Sequence, residues 1–238
     1  MPVDSLPPVE PLTTPTPRPI PQHDRRAIFW TALLLLSVAW LISSESPLIF
    51  GRSRQQLPAI TNLESQPLKM SGGDPYVRAL MRTISVAEAH TIEPYHTLYG
   101  GQRINDLTQH PDLCVKIVAG PNQGDCTTAA GRYQFLSTTW LEQAKKYHPE
   151  PPQWYSWWAD YSFEPLYQDE VVYRWLTDVN AWHADIAYLL REGEVEQVLY
   201  LLSDTWTSLG YGIEDNVMTP YLAQVYEQML AEELQQSE

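Results

Sequence analysis

Cysteine and basic residues are scarce in this sequence, and each shortage excludes a class of function. The 238 residues include two cysteines, and no Cys-x-x-Cys or Cys/His spacing typical of structural zinc is present. We therefore expect no metal and no other cofactor. Lys and Arg number 15 against 29 Asp and Glu. From residue 75 onward nine basic residues face 23 acidic ones, so the folded part is acidic and we expect no nucleic-acid partner.

The N-terminal third has the composition of a tail followed by an apolar segment. Residues 1–26 are rich in proline and polar residues and cannot bury enough apolar area to fold. Residues 27–44 follow Arg25 and Arg26 and carry no charge. Their length of 18 residues is about the lower limit for a membrane span. We interpret them as a transmembrane helix acting as an uncleaved signal anchor.

Two alternatives to the anchor remain open. A cleaved signal peptide would need small residues near Ser44, and no Ala-x-Ala pattern is present there. A buried core helix fits poorly, because the segment is apolar on all sides. Residues 45–74, with several prolines and Gly72-Gly73, are predicted to be a linker to a folded domain over residues 75–238.

The domain is predicted to be α+β, mainly helical with one small β-hairpin region. Asp74 and Pro75 form an N-cap and first helical position. Gly100-Gly101 lies between short apolar runs and predicts a hairpin turn within an extended region at 95–117. Helices are predicted over residues 75–88, 137–147 (capped by Ser137), 164–179, 183–191, 194–208 and from Thr219 onward.

Glu88 is the strongest candidate for a catalytic residue. It follows Val77, Leu80, Met81 and Ile84 at helical spacing, so its carboxylate falls on an apolar stripe. Desolvation and the negative end of the helix dipole would both raise the pKa of a carboxyl group there. A carboxylic acid that stays protonated near neutral pH is what cleavage of a glycosidic bond requires.

The two cysteines, Cys114 and Cys126, flank a loop that contains Gly120, Pro121 and Gly124. In an oxidising compartment the pair would close this loop as a disulfide. Two independent buried thiols are the alternative.

Residues 149–163 form a second distinctive loop, rich in proline, tryptophan and tyrosine. Sugar rings stack on such side chains, but aromatic residues more often pack a long loop onto the core.

Several short motifs in fixed order resemble the phage lambda lysozyme family over about residues 77–220. They are Val86-Ala87-Glu88, Tyr95-His96-Thr97-Leu98-Tyr99-Gly100-Gly101, His110-Pro111, Gly131-Arg132-Tyr133-Gln134, Trp140 and Trp206-Thr207-Ser208-Leu209-Gly210-Tyr211-Gly212. The resemblance implies a lysozyme-like fold with a cleft between two lips, the Cys114–Cys126 loop lying in the upper lip.

The resemblance also implies the reaction and its residues. Members of the family are peptidoglycan lytic transglycosylases, with glycan strands as the partner. They cut the β-1,4 bond after N-acetylmuramic acid and leave 1,6-anhydro ends. The family's catalytic glutamate corresponds to Glu88, and its substrate-binding residues to Tyr99, Tyr133, Gln134 and Tyr211. With the anchor, this implies a single-pass inner-membrane protein whose catalytic domain lies on the periplasmic side.

The sequence departs from the family at three points. Ala89 follows the glutamate, His96 replaces an acidic residue, and the segment before Gly210 is about three residues shorter.

The sequence leaves two rival functions open. One glutamate suffices for transglycosylation, because the nucleophile is the sugar's own hydroxyl. A hydrolytic muramidase would need a second carboxylate, for which Glu93, Asp106 and Asp125 are candidates by position. A non-catalytic wall-binding protein is the rival from another class, and the presence of Glu88 argues against it.

Overall fold

Helix α1 (Pro75–Glu88) is the central element of the domain. The computed structural model describes residues 65–89, 91–118, 122–155, 160–211 and 218–236. Asp74 accepts a hydrogen bond from the backbone N–H of Tyr76, and Pro75 occupies the first helical turn. The apolar stripe predicted for α1 is fully buried: Val77, Leu80, Met81 and Ile84.

Two predicted segments, the tail at 1–26 and the transmembrane helix at 27–44, lie outside the described residues. Within the described ranges, no helix is both long enough and apolar enough to cross a membrane.

The C-terminal helix α7 (Leu222–Gln236) packs along α1. Its buried Glu233 accepts from Arg78 Nε at 2.5 Å and from Arg82 Nη1 at 3.1 Å. Because a buried carboxylate needs its partners in place, these ion pairs specify how the two helices align.

The remaining helices surround this pair. They are α2 (Ser137–Tyr147), α3 (Pro165–Leu176), α4 (Val179–Trp182), α5 (Ile186–Arg191) and α6 (Val195–Leu202). The helix predicted over 164–179 is thus α3 followed by the separate α4, and the one predicted over 194–208 ends at Leu202. Ser137 begins α2 but makes no side-chain cap, and its backbone N–H instead donates to Thr128 Oγ1 at 3.0 Å.

One small antiparallel hairpin completes the fold, in which β1 (Val115–Lys116) pairs with β2 (Cys126–Thr127). The register sets Val115 opposite Thr127 and Lys116 opposite Cys126. A disulfide joins Cys114 to Cys126 across the base of this hairpin, with the two Cα atoms 5.4 Å apart. The predicted cysteine pair is therefore present, and the α+β class is confirmed.

The region at 95–117 is mostly irregular, with β1 at its end, which differs from the extended structure predicted for it. Short 3₁₀ helices occupy Pro94–His96 and Tyr99–Gly101. A hairpin-like turn does form at the predicted glycines, since Leu98 N–H donates to Gln102 O at 2.7 Å and both Gly100 and Gly101 have positive φ.

Residues 65–74 belong to the packed domain, although the sequence predicts a linker up to residue 74. Ser65, Leu68 and Met70 are all less than 10% exposed. We call residues 65–70 the N-terminal strap. Its backbone groups are bound by buried side chains of the domain, so the folded part starts about ten residues earlier than predicted.

Candidate active site

Glu88 is the last residue of α1 and is half-buried, at the point where the apolar stripe reaches the surface. Ala89, which ends the helix, is buried, so the chain turns inward directly after the carboxylate. The hydroxyl of Ser208 donates a hydrogen bond to Glu88 Oε1. The predicted catalytic carboxyl group is therefore accessible from solvent and oriented by a neighbouring hydroxyl.

Ser208 is held by a 3₁₀ turn at Thr207–Leu209 that packs against α1. Leu209 and Trp206 are buried, which anchors the turn on both sides of the hydroxyl. Trp206 Nε1 donates to the backbone oxygen of Tyr133 at 3.1 Å. This bond connects the Ser208 turn to the segment Gly131–Gln134.

Thr97 connects that segment to the chain after α1. Its backbone oxygen accepts from Gly131 N at 2.8 Å and from Gln134 Nε2 at 3.2 Å. Its hydroxyl lies 3.4 Å from that of Thr91. The end of α1, the Thr97 turn, the Gly131–Gln134 segment and the Ser208 turn thus form one group of connected segments, which we call the Glu88 cluster.

Gln134 has a positive φ of 46°, and its amide nitrogen donates to two backbone oxygens, those of Thr97 and Gly131. Both amide hydrogens are thereby used, and the carbonyl oxygen is the group that Gln134 could offer to a ligand. Gly131 is required at this turn, since a Cβ there would lie 2.7 Å from the ring of Phe163.

Tyr133, which the resemblance assigns to substrate binding, is buried in the structure. It is 1% exposed, and its hydroxyl donates to Asp169 Oδ1 at 2.7 Å. A sugar ring cannot reach this side chain in the structure. The side chain instead supports the fold, because its hydroxyl partner, Asp169, is a buried acceptor on α3. A local sequence motif does not indicate this distant partner.

Asp169 and Arg132 form a buried network behind the Glu88 cluster. Asp169 Oδ2 accepts from Tyr95 Oη at 2.7 Å and from the backbone N–H of Lys69 at 2.6 Å. Arg132 donates to Tyr95 Oη at 2.8 Å and to the backbone oxygens of Gln66 and Pro67. Burial raises the pKa of Asp169, while Arg132 and the hydrogen-bond donors oppose that shift.

The two other predicted substrate-binding tyrosines lie near the surface. Tyr99 is half-buried and follows Thr97 by two residues, with its backbone N–H donating to Ala129 O at 3.0 Å. Tyr211 is 44% exposed and follows Ser208 by three residues. Burial and the charge of Glu196 raise the pKa of Tyr211, so its hydroxyl stays protonated at neutral pH and can donate to a ligand.

The candidates for a second carboxylate have structural surroundings of their own. Glu93 forms an ion pair with Arg103. Asp106 accepts from the backbone N–H and the hydroxyl of Thr108, and these bonds lower its pKa. Asp125 is an exposed residue next to β2. In the part of the chain that the structure describes, no group of three or more His, Cys, Asp or Glu residues could hold a metal ion.

Sequence reasoning missed the contact of Ser208 and the network around Asp169. Ser208 lies inside a motif singled out for Tyr211, but nothing in the sequence indicates that its hydroxyl faces Glu88. Asp169 did carry a signal, because Asp169, Val172 and Leu176 share one face of α3 at helical spacing.

The comparison with protein families matches the Endolysin family over residues 78–232, more than half of the chain. Together with the fold and the Glu88 cluster, this match defines a lysozyme-like enzyme that cleaves glycosidic bonds and degrades peptidoglycan. The chain belongs to the Endolysin family.

Two solved structures are similar to this chain. Bacteriophage lambda lysozyme complexed with a chitohexasaccharide has 21% identity and a TM-score of 0.49, covering 67% of this chain and 97% of that one. Lysozyme from bacteriophage lambda has 18% identity and a TM-score of 0.45, covering 70% of this chain and 96% of that one. The comparison with curated proteins finds no match.

Proposed function

We propose that this protein is a peptidoglycan lytic transglycosylase. It would cleave the β-1,4 bond between N-acetylmuramic acid and N-acetylglucosamine and leave 1,6-anhydromuramic ends. The observation that carries the proposal is the position of Glu88, a half-buried carboxyl group at the end of a buried helix, oriented by Ser208. The resemblance to the phage lambda lysozyme family points to the same residue and reaction.

Glu88 performs both proton transfers in this proposal. As the acid, it protonates the leaving glycosidic oxygen while the bond from that oxygen to C1 breaks. As the conjugate base, it then takes the proton of the C6 hydroxyl, whose oxygen forms the new bond to C1. The carboxyl group ends protonated, as it began, and no water is consumed. The C6 hydroxyl is part of the same sugar, so proximity replaces a second carboxylate.

The surroundings of two of the three other acidic candidates, Glu93 and Asp106, support a single-carboxylate mechanism. A hydrolase needs a second carboxylate that can activate water or attack C1. Glu93 is paired with Arg103, and Asp106 is bound by Thr108. The sugar contacts in this proposal come from Gln134 through its carbonyl oxygen, and from Tyr99 and Tyr211 at the surface.

Product analysis tests the reaction type. The full chain is incubated with purified peptidoglycan, and the released muropeptides are treated with borohydride and analysed by mass spectrometry. Anhydro ends resist reduction and are the expected product. Reducible ends would establish a hydrolytic muramidase instead.

Two matched variants test the residue assignment in the same assay. Glu88→Gln keeps the shape of the side chain and removes its proton, so activity should fall by about 10²–10⁴-fold. Glu93→Gln removes only an exposed ion pair, which contributes little to stability, and should retain activity. More than about a tenth of wild-type activity in Glu88→Gln would overturn the assignment. Loss of activity in Glu93→Gln, together with reducible ends, would identify a second carboxylate.

The proposal includes a membrane anchor at residues 27–44, which lie outside the described residues. Arg18, Arg25 and Arg26 precede this apolar segment and Arg52 and Arg54 follow it, so the positive-inside rule favours a cytoplasmic N-terminus by three residues to two. The Cys114–Cys126 disulfide supports a location for the domain on the periplasmic side, because such bonds persist in oxidising compartments. Alkaline extraction should leave the full chain in the inner-membrane fraction, and its release into the supernatant would contradict the anchor.

A further inference from the structure

Two consecutive aromatic side chains project into solvent from the loop between α2 and α3. Trp154 is 87% exposed and Tyr155 is 60% exposed. Their rings are perpendicular, with the centroids 5.7 Å apart. Aromatic side chains each bury 150–250 Å² when packed, so exposing two neighbours forgoes a large gain and marks a candidate binding surface.

The base of this loop is fixed to the domain. His148 Nδ1 accepts from the backbone N–H of Glu150 at 3.0 Å, and His148 Nε2 donates to the backbone oxygen of Ser162 at 3.1 Å. Tyr167 Oη donates to Glu150 Oε2 at 2.7 Å. Phe163, at the far end of the loop, is fully buried and makes the core contact. The loop is therefore attached at both ends without help from Trp154 or Tyr155.

The chemistry of the pair suits a neutral sugar ring. The faces of Trp and Tyr pack against the C–H groups of a pyranose ring, while Nε1–H and the phenol hydroxyl can bond its hydroxyl or acetamido groups. An anionic lipid surface is a poor alternative, because acidic side chains at Glu150 and Glu164 flank the loop and the chain carries a net charge of −14. Charge thus argues against an anionic membrane surface, and the groups that the aromatic pair would contact on a glycan strand are uncharged sugar rings.

We propose that Trp154 and Tyr155 form an accessory site that binds N-acetylated sugar rings of peptidoglycan strands outside the Glu88 cluster. The hydrogen bonds that hold the loop, at His148, Ser162 and Tyr167, are separate from the bond of Ser208 to Glu88. The identity of the polymer rests on the proposed function. A second contact on the same polymer raises retention without any change at the cleavage site.

Sedimentation with insoluble peptidoglycan tests this site in the full chain, with Glu88→Gln present in every protein to prevent cleavage. Trp154→Ala combined with Tyr155→Ala should weaken binding by about 10²-fold, the lower end of the range by which a second contact raises avidity. Tyr188→Ala, which removes another exposed tyrosine, is the matched control and should bind like its parent. Equal binding by the double variant and the control would overturn the proposal.

Two further measurements separate this proposal from its alternatives. With Glu88 intact, the double variant should cleave insoluble peptidoglycan more slowly and short soluble glycan fragments at the normal rate. An equal loss on both would mean that the pair acts on the Glu88 cluster, which overturns an accessory site. Phosphatidylglycerol vesicles give the last arm, because weaker vesicle binding with unchanged peptidoglycan binding would assign the pair to membranes. Failure of the proposed function would show instead in the products of the wild-type chain.

Discussion

Two of the carboxylates that lie on apolar helix faces, Asp169 and Glu88, have opposite surroundings. Asp169 is fully buried and accepts hydrogen bonds from Tyr95, Tyr133 and two backbone N–H groups of the strap. Glu88 lies at a helix end, stays half-buried and receives a hydrogen bond from Ser208. Both interrupt an apolar stripe, yet one is enclosed by donors and the other is open to a substrate.

We expect this difference to separate a scaffold role for Asp169 from the chemical role proposed for Glu88. A buried carboxylate surrounded by donors is held in one place and stabilises the fold only while every partner is present. A carboxyl group at the boundary between core and solvent can exchange its proton with a ligand. An acid that interrupts an apolar stripe is therefore a candidate for either role, and its exposure to solvent indicates which one to test.

The largest effect is expected from removing the strap. A chain of residues 75–238 lacks the backbone groups that bind Arg132 and Asp169, and each buried hydrogen-bonding group left without its partner costs about 1–3 kcal/mol, and more if it is charged. The summed loss is comparable to the whole stability of a domain. Residues 75–238 should fail to fold, whereas residues 60–238 should unfold cooperatively when followed by circular dichroism. Equal melting temperatures would show that the strap is dispensable.

Exchanging single atoms in the two carboxylates should separate stability from activity. Asp169→Asn replaces one carboxylate oxygen, which accepts hydrogen bonds, by an amide nitrogen that faces other donors. We expect the free energy of unfolding to fall by about 3–5 kcal/mol. Glu88→Gln should leave that free energy within about 1 kcal/mol while activity is lost. Urea unfolding and a turbidity assay measure the two quantities. If both variants lost stability equally, Glu88 would be a second scaffold acid.

The disulfide, like Asp169, is expected to act on the stability of the fold. Cys114 and Cys126 are 12 positions apart, and a loop of about this length stabilises by roughly 3 kcal/mol in the chain-entropy model. Replacing both by serine should lower the free energy of unfolding by that amount. Dithiothreitol should do the same to the wild type and nothing to the variant. Free thiols in the exported protein would contradict the pairing.

The buried histidines predict how the scaffold responds to pH. Burial lowers the pKa of both His110 and His148 from 6.5. As the pH falls below 6.5, the unfolded chain binds protons that the folded chain resists, so the free energy of unfolding falls. Asp169 acts in the opposite direction, because its raised pKa lets the folded state bind a proton first. A double His→Gln variant should lose less stability between pH 7 and pH 5 than the wild type, and equal losses would contradict this.

The smallest effect is expected at Ser208, which bonds the proposed catalytic residue Glu88. Ser208→Ala removes one hydrogen bond to Glu88, worth about 1 kcal/mol, so activity should change by only about fivefold. Because the carboxylate form loses a donor, the descending limb of the pH–activity profile should move to higher pH. Ser203→Ala, which removes a hydroxyl bonded to its own helix, is the control. An unshifted limb would show that Ser208 does not act on Glu88.

Local patterns predicted the position of α1, because its N-cap, its proline and its apolar stripe are all local to the helix. Glu88 emerged from the same stripe. The buried position of Tyr133 did not, because its hydroxyl partner is 36 residues away in sequence. Asp169 shows the same limit, since its donors come from the strap, from Tyr95 and from Tyr133.

The shortest elements were also out of reach of sequence reasoning. Strands of two residues have no periodicity, and β1 and β2 are set by pairing across the disulfide-closed loop. Prolines and glycines made residues 65–74 resemble a linker. The guanidinium group of Arg132 holds them in the domain by donating hydrogen bonds to the backbone oxygens of Gln66 and Pro67.

The strap also bears on how far the proposed anchor would let the domain lie from the membrane. Residues 65–74 are held in the domain through buried side chains, so they cannot extend away from it. Fully extended, ten residues would span at most about 35 Å. In the proposed anchored protein, the strap would therefore shorten the maximum reach of Glu88 by about that distance, compared with a linker that runs to residue 74.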